Sequence, residues 1–315
     1  MDYAIEVQGL SKKFAEKYAV KDLNFQIQRG EIVAFLGPNG AGKTTTVRLL
    51  NGVLRPTAGT IKILGYELNR DVIKIQSRTG VVTETFTLYE RLTGRYNLKF
   101  YGNLYGLKTD VINHKISAMI SFFNFEDYID RPVETYSTGM KKKLSLARAL
   151  LHDPEILFLD EPTTGLDPEA SRTVIKYIAK LNQEEKKTIF LCTHNLEVAE
   201  ILATRIMLID KGQLITIGTP DELKKKLWPD VQVDIECKMW GNEKKEKIYE
   251  IDWITDIKDI GNKEGVTKLS INVAERKYIP DLVEILIQQG CRIFSVVEKE
   301  HSLEEIYFKL REGKK

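Results

Sequence analysis

Three patterns of apolar positions recur along this chain, and they predict different elements. Unbroken apolar runs at 32–36 ("IVAFL"), 156–159 ("ILFL") and 189–192 ("IFLC", within "TIFLCTH") leave no polar face, so they predict strands buried on both sides. "AIEVQGL" and "KDLNFQIQRGE" read as early strands with a turn at Arg29–Gly30, "TIKILGYEL" as a strand pair turning near Gly65–Tyr66, and "RIMLIDKGQLITIG" as a closing hairpin. Val47, Leu50 and Leu54 recur at helical spacing directly after the first buried run. From Glu84 to about Arg131 the character changes: aromatics crowd "FTLYERLTGRYNLKFYGNLYGL", and helical periodicity follows through "INHKISAMISFFNF". This predicts a helical insertion at about residues 85–150 between strands of a mostly parallel sheet.

The pattern shifts again after "TPDELKKKLWPD". "VQVDIEC", "KIYEID", "TKLSINV" and "CRIFSVV" read as short strands. "YIPDLVEILIQQG" reads as a helix with Ile279, Leu282, Val283 and Leu286 on one face. In "HSLEEIYFKL", Ser302 and Glu305 form a capping box ahead of the stripe Leu303, Ile306, Tyr307 and Leu310. The tail is therefore expected to be a small α+β domain of roughly 85 residues, to which the sequence assigns no chemistry.

Composition narrows the function classes. The 315 residues carry 47 basic and 45 acidic side chains, a net charge of +2, which gives no electrostatic case for nucleic acid. The basic run Lys141–Lys143 reads as a solvated helix face. Cys192, Cys237 and Cys291 show neither metal spacing nor a disulfide framework, so a reducing compartment is expected. The start, "MDYAIEVQGL", lacks a charged-then-apolar signal pattern, and no apolar run approaches the roughly 20 residues that span a bilayer. The chain is expected to be soluble, or peripheral to something that is not.

The chemistry begins at "LGPNGAGKTTTVRLL". Gly37-Pro38-Asn39-Gly40-Ala41-Gly42-Lys43-Thr44 fits G-x-x-x-x-G-K-[ST], between an apolar strand and a helical stripe. Small residues let successive backbone N–H groups converge on a polyphosphate, and the helix starting near Gly42 aims its positive end at the same place. Lys43 adds a mobile cation for the β- and γ-phosphates, and Thr44 a hydroxyl for Mg²⁺. "ILFLDEP" carries Asp160 to the C-terminal edge of its strand, where it suits the Mg²⁺ shell. Glu161 follows and can point elsewhere, towards a water attacking the γ-phosphate.

From here the residues become family-specific. "YSTGMKKKLSLARALLHDPEILFLDEPTTGLDP" resembles the signature-to-D-loop segment of ABC transporter ATPases, and "LCTHNLEVAE" is similar to their switch-histidine strand. The resemblance covers about residues 1–220, and "SLEEIYFKL" resembles the end of bacterial drug-exporter ATPases. It implies an α/β P-loop NTPase with an ABC-type antiparallel β subdomain and a helical insertion at 1–225, then a small α+β accessory domain at 226–315.

What the resemblance implies for the site carries over residue by residue. ATP and Mg²⁺ are the cofactors; Lys43, Glu161 and His194 are catalytic, with His194 contacting the γ-phosphate and holding the attacking water. The glycine loop through Thr45 binds nucleotide. Phe14 is the adenine platform, with Tyr18 as runner-up and core packing as the rival for either. Ser137 and Gly139 face the γ-phosphate of ATP held by another subunit. Asp167 is a D-loop residue and, before Pro168, also an ordinary helix N-cap. One phosphate loop and one signature segment imply an ATP-dependent homodimer.

Two departures qualify this. Glu84 stands where the Q-loop has glutamine; it can still ligate Mg²⁺ beside Thr44 and Asp160, and without metal it crowds Asp160 and Glu161, favouring protonation of one of them. Thr138 and Met140 also depart from the common Leu-Ser-Gly-Gly-Gln signature. The resemblance implies the ATPase subunit of an exporter whose permease is a separate chain, peripheral to the cytoplasmic face of the membrane. The aromatic stretch Phe86 to Leu107 either docks that permease or forms insertion core. A soluble ABC ATPase of translation, repair or cluster assembly is the alternative; a P-loop kinase has no need of "YSTGM" or "TTGLD".

Overall fold

The computed structural model describes residues 3–312; Met1, Asp2 and 313–315, the ends of the two expected domains, lie outside them. The described chain divides into two compact units, one ending at Thr219 and the other beginning at Pro220.

In the first unit, β1 (Tyr3–Phe14) and β2 (Lys17–Gln28) pair antiparallel, and β4 (Ala58–Ile63) and β5 (Tyr66–Glu67) extend them to a sheet of order β2-β1-β4-β5. The remaining strands, β3 (Ile32–Leu36), β6 (Thr79–Val82), β7 (Ile156–Asp160), β8 (Thr188–Thr193), β9 (Arg205–Asp210) and β10 (Gln213–Gly218), form a second sheet of order β10-β9-β3-β8-β7-β6. Its five neighbours from β9 to β6 pair parallel, and β10 closes it antiparallel. Alternate residues of its central strands enter two different cores. Leu157, Leu159, Ile189 and Leu191 pack with the insertion helices, whereas Phe158, Phe190 and Cys192 pack with the antiparallel sheet. Each such buried side chain contributes roughly 1.5–3 kcal/mol, which is why the interiors of these strands are apolar.

Helices α1 (Lys43–Leu50), α2 (Leu68–Gln76), α6 (Pro168–Gln183) and α7 (Leu196–Leu202) connect the strands, and α3 (Gly94–Leu104), α4 (Thr109–Phe123) and α5 (Thr138–Leu150) form the insertion between β6 and β7. Leu54 lies outside α1: the helix ends at the Asn51 cap, before Gly52 turns to φ 70°. The strand β6 and the helix α2 carried no sequence signal strong enough to be read.

The second unit runs α8 (Pro220–Leu227), β11 (Val231–Lys238), α9 (Asn242–Tyr249), β12 (Ile254–Lys263), β13 (Val266–Val273), α10 (Ile279–Gln288), β14 (Arg292–Glu298) and α11 (Leu303–Glu312). From β11 to β14 this is βαββαβ, with an antiparallel sheet of order β12-β13-β11-β14, the split βαβ arrangement of ferredoxin-like domains. "KIYEID" is a correction: Lys247–Tyr249 end the helix α9, with only Ile248 fully buried there, and the strand follows at Ile254. The capping box is half formed. Glu305 N donates to Ser302 Oγ at 3.2 Å, but the Glu305 carboxylate accepts from His301 Nδ1 at 2.6 Å instead of reaching back to the helix start.

Candidate functional site

The order of the parallel sheet assembles the site. Leu36 pairs with Thr193 and Cys192 with Asp160, so the ends of β3, β8 and β7 lie side by side. The glycine loop leaves β3, His194 leaves β8 and Glu161 leaves β7. On the far side Val82 pairs with Leu159, which brings Glu84 alongside Asp160. A cleft of about 490 Å³ opens here, lined by Ala19, Pro38, Asn39, Gly40, Gly42, Lys43, Thr44, Thr45, Glu84, Asp160, Glu161, Thr164 and His194.

The loop is built on close approaches. A Cβ on Gly37 would meet Ile209 O at 2.4 Å; Gly42 sits at φ 110°, where a Cβ would meet Ala19 O at 2.6 Å. Gly37 and Ala41 face the protein and support the loop rather than line the cleft. The first bond of α1 runs from Thr46 N to Gly42 O, 2.9 Å. Ahead of it Ala41 N donates to Pro38 O at 3.1 Å, and the first-turn amides of a helix lack intrahelical partners, the feature that suits such an end to an anion. Lys43, only 7% exposed, donates to Gly37 O at 2.7 Å and Pro38 O at 3.3 Å, with Glu161 Oε1 at 3.8 Å.

Glu161 is held from three sides. Its Oε1 accepts from His194 Nδ1 at 2.8 Å, and its Oε2 from Thr164 Oγ1 and Thr193 Oγ1, each at 3.2 Å. Its backbone takes φ 50°, a left-handed conformation uncommon away from glycine. That turn separates Asp160 from Glu161 and sends their carboxylates different ways. His194 is fixed between β8 and α7, whose N-cap Asn195 accepts from Val198 N at 3.1 Å.

Burial pushes the Asp160 carboxyl up from its ordinary value, and Glu161 and Glu84 push the same way against the Thr44 hydroxyl and Lys43. The expected crowding by Glu84 is thus present, though desolvation is the larger cause. Asp160 Oδ1 is buried without a hydrogen-bond partner. An orphaned carboxylate oxygen next to Thr44 and Glu84 is an all-oxygen donor set that fits a hard divalent cation such as Mg²⁺. Among the described residues no group of three or more His, Cys, Asp or Glu side chains could hold a metal alone. Such an ion would take the rest of its shell from water or ligand oxygens.

The remaining expected residues lie outside this cleft. Phe14 and Tyr18, 48% and 44% exposed, are not core residues, and neither lines the cleft, although Ala19 beside Tyr18 does. The Ser137 hydroxyl caps α5 by accepting from Met140 N at 3.2 Å, with Gly139 in its first turn. Asp167 caps α6, accepting from Ala170 N at 2.8 Å, with Pro168 as its first residue.

Sequence reasoning missed three supports. Thr164 and Thr193 hold Glu161, and their signal, hydroxyls flanking the acid and the histidine, was there to be read. Lys142 corrects the solvated-face expectation for Lys141–Lys143: it is 2% exposed. Burial lowers its ammonium's value, while Asp160, Glu84 and Glu161 draw it back up.

A family model described as ABC transporter matches residues 20–164. The chain is 29% identical over 307 residues to the linearmycin resistance ATP-binding protein LnrL of Bacillus subtilis (strain 168), covering 97% of each. It is 39% identical over 234 residues to the daunorubicin resistance ATP-binding protein DrrA3 of Streptomyces coeruleorubidus, covering 74% of this chain and 73% of that one. A solved dimer of the ATP-binding cassette MJ0796 in a post-hydrolysis state, bound to ADP and Pi, matches at 25% identity and TM-score 0.64, over 68% of this chain and 98% of that one.

Proposed function

Because the chain belongs to the ABC transporter family, as an ATP-binding subunit with ATPase activity, we propose that it powers export through a separate membrane permease, hydrolysing ATP between Lys43 and Glu161. One observation carries this reading: Lys43, Asp160, Glu161, Glu84 and His194, from four strand ends, line a single cleft over the glycine loop.

In the proposed cycle the loop amides and Lys43 grip the phosphates, Lys43 exchanging two carbonyls of its own loop for them. Thr44, Asp160 and Glu84 would hold Mg²⁺, which would supply charge neutralisation along the phosphates. Glu161 takes the proton of the attacking water, and His194, hydrogen-bonded to it, keeps that base oriented. Tyr18 is the better placed adenine platform, since its neighbour Ala19 lines the cleft. Ser137, Gly139 and Asp167 lie outside the cleft and are offered to the ATP of a second copy; the dimeric state of the MJ0796 relative supports that arrangement.

The permease reading has its own support. No helix among the described residues is long and apolar enough to cross a membrane. An apolar groove of about 650 Å³ opens between the strand layer and the insertion, lined in part by Val53, Ile73, Thr83, Leu104, Tyr105 and Arg148. The stretch 86–107 divides its labour: Leu88, Tyr101 and Leu107 pack on the insertion core, while Leu104 and Tyr105 face the groove. Thr83 lines this groove and Glu84, the next residue, lines the nucleotide cleft, so a docked permease segment and the ion side of the site touch one short loop. The relatives named for drug resistance support export.

The test is fractionation with two variants. Ile73→Asp and Leu104→Asp, both at highly exposed positions, release the chain from the membrane fraction and leave ATP binding by the purified protein unchanged. A wild-type chain that never sediments with membranes in its own cells overturns the permease reading.

A further inference from the structure

Arg148 stands in the last turn of α5, where a cation beside the carbonyl end of a helix is ordinary. Its donors go elsewhere. Nη1 donates to Thr87 O at 2.9 Å and to Thr87 Oγ1, and Nη2 donates to Val81 O at 3.0 Å. The guanidinium lies over the Tyr101 ring, its Cζ 4.9 Å from the centroid, and Tyr101 OH donates to the same Thr87 carbonyl at 2.8 Å. One planar group, resting on a ring, therefore grips two carbonyls on either side of Glu84. The fork of an arginine suits that task, whereas a lysine ammonium is a point charge on a flexible stem.

The segment between those carbonyls is the one that carries Glu84. The strand β6 ends at Val82, and Glu84 itself belongs to no helix or strand. Inside the segment Thr83 Oγ1 donates to Thr85 O at 2.7 Å, a bond that shapes the turn without tying it to the rest of the protein. The Glu84 side chain is exposed and, among the described residues, accepts no hydrogen bond. It nevertheless lines the nucleotide cleft. An exposed carboxylate without bonds of its own keeps its position only as well as its backbone does. Arg148 and Thr87 line the apolar groove and not the cleft.

We propose that Arg148 is the positioning residue of Glu84. By bracing Val81 and Thr87 on one guanidinium it closes the segment between them and pre-organises the carboxylate at the ion side of the cleft, without touching nucleotide or ion. The inference rests on the reading of Glu84 as an ion ligand. The gain is one of entropy: a loose segment has to be ordered when an ion binds, and a braced one is already ordered by folding.

The test uses the full-length protein as wild type, Arg148→Lys and Arg148→Met, each with and without Glu84→Ala. Hydrogen exchange is followed first, in EDTA without nucleotide. Arg148→Met speeds exchange of the amides at 83–87 about tenfold and leaves those of β7 unchanged. Arg148→Lys behaves like Arg148→Met, since one ammonium does not span both carbonyls. The second measurement is binding of a fluorescent non-hydrolysable ATP analogue against free Mg²⁺. Both Arg148 variants raise the half-saturating Mg²⁺ concentration about threefold. In the Glu84→Ala background the same replacements leave it where Glu84→Ala alone puts it, because no carboxylate is left to place.

Exchange at 83–87 that stays at the wild-type rate, or that rises equally in β7, overturns the bracing, and full rescue by Arg148→Lys overturns the two-carbonyl grip. No Mg²⁺ shift in the presence of Glu84, or one of equal size in its absence, overturns the positioning of that carboxylate. Failure of the ion-ligand reading looks different: Glu84→Ala alone then leaves the Mg²⁺ midpoint unmoved. The exchange measurement involves neither ion nor nucleotide and still decides whether Arg148 braces the segment.

Discussion

His194 Nδ1 lies 2.8 Å from Glu161 Oε1, and the carboxylate can only accept, so the imidazole is the donor. Thr164 and Thr193 occupy the other carboxylate oxygen. Three donors fix one acid at the mouth of the cleft while its own backbone sits at φ 50°. Such an arrangement serves orientation more than stability. Glu161→Gln keeps the shape and removes the base: kcat is expected to fall about 10²–10⁴-fold with ATP affinity nearly unchanged. ATP-bound protein then accumulates as dimer on size-exclusion with light scattering. A strictly monomeric Glu161→Gln protein in saturating ATP would defeat the shared-site reading.

Lys43 donates to the Gly37 and Pro38 carbonyls, 2.7 and 3.3 Å away. In the proposed cycle charge-assisted bonds to phosphate take their place, each worth roughly 1.5–3 kcal/mol. Lys43→Ala is therefore expected to weaken ATP binding about tenfold to a hundredfold, read by calorimetry. Its melting temperature without nucleotide should fall, because the buried Gly37 carbonyl loses the 2.7 Å bond it accepts from Lys43. Equal affinity in wild type and variant would remove the loop from the nucleotide site.

The glycines of the loop are a separate matter from its lysine. Gly42 at φ 110°, with Ala19 O 2.6 Å from a would-be Cβ, has neither the conformation nor the space for a side chain. Gly42→Ala should cost on the order of 1–3 kcal/mol, seen as a drop of roughly 2–4 °C in melting temperature per kcal/mol. Gly40, at φ 78° with no atom within 4 Å of a Cβ, lacks the clash and keeps only the backbone strain. Gly40→Ala is expected to cost less than Gly42→Ala; the reverse order in thermal melts would contradict the packing described for Ala19.

What the sequence made legible follows physical lines. Buried strands were readable because both their faces are apolar, and the motif residues were readable because phosphate and ion chemistry demand fixed types at fixed spacing. β6 was not, because "TGVV" is four residues long and carries no pattern distinct from a loop. "KIYEID" alternates over six residues as a strand does, whereas the turns that hold α9 depend on Ile248 packing on a sheet formed by distant strands. Lys142 was unreadable for the same reason: three lysines in a row look alike until the fold buries one of them beside the Phe86 ring. Glu161's threonine supports come from β8 and the turn after β7, a partnership set by the strand order.

Asp160 gives the last prediction, and it has a definite sign. Its carboxyl is held above its ordinary value, chiefly by burial. An acid whose folded value is raised favours the fold while protonated, below the ordinary carboxylate value, and loses that contribution as pH rises through the raised one. As pH rises, ionising the buried Asp160 therefore costs the fold an increasing amount. Asp160→Asn removes the charge and leaves an oxygen for the Thr44 hydroxyl. In EDTA at pH 7.5 the variant should melt above the wild type, and the difference should shrink to nothing towards pH 4. Adding Mg²⁺ and ATP should reverse the order, since a ligand bound only by the native state stabilises it by about 2.7 kcal/mol at a hundred times its Kd, and the variant forfeits much of that affinity. A variant that melts below the wild type in EDTA at both pH values would mean that Asp160 holds the fold together, and that its place beside Thr44 and Glu84 is not a cost accepted for an ion.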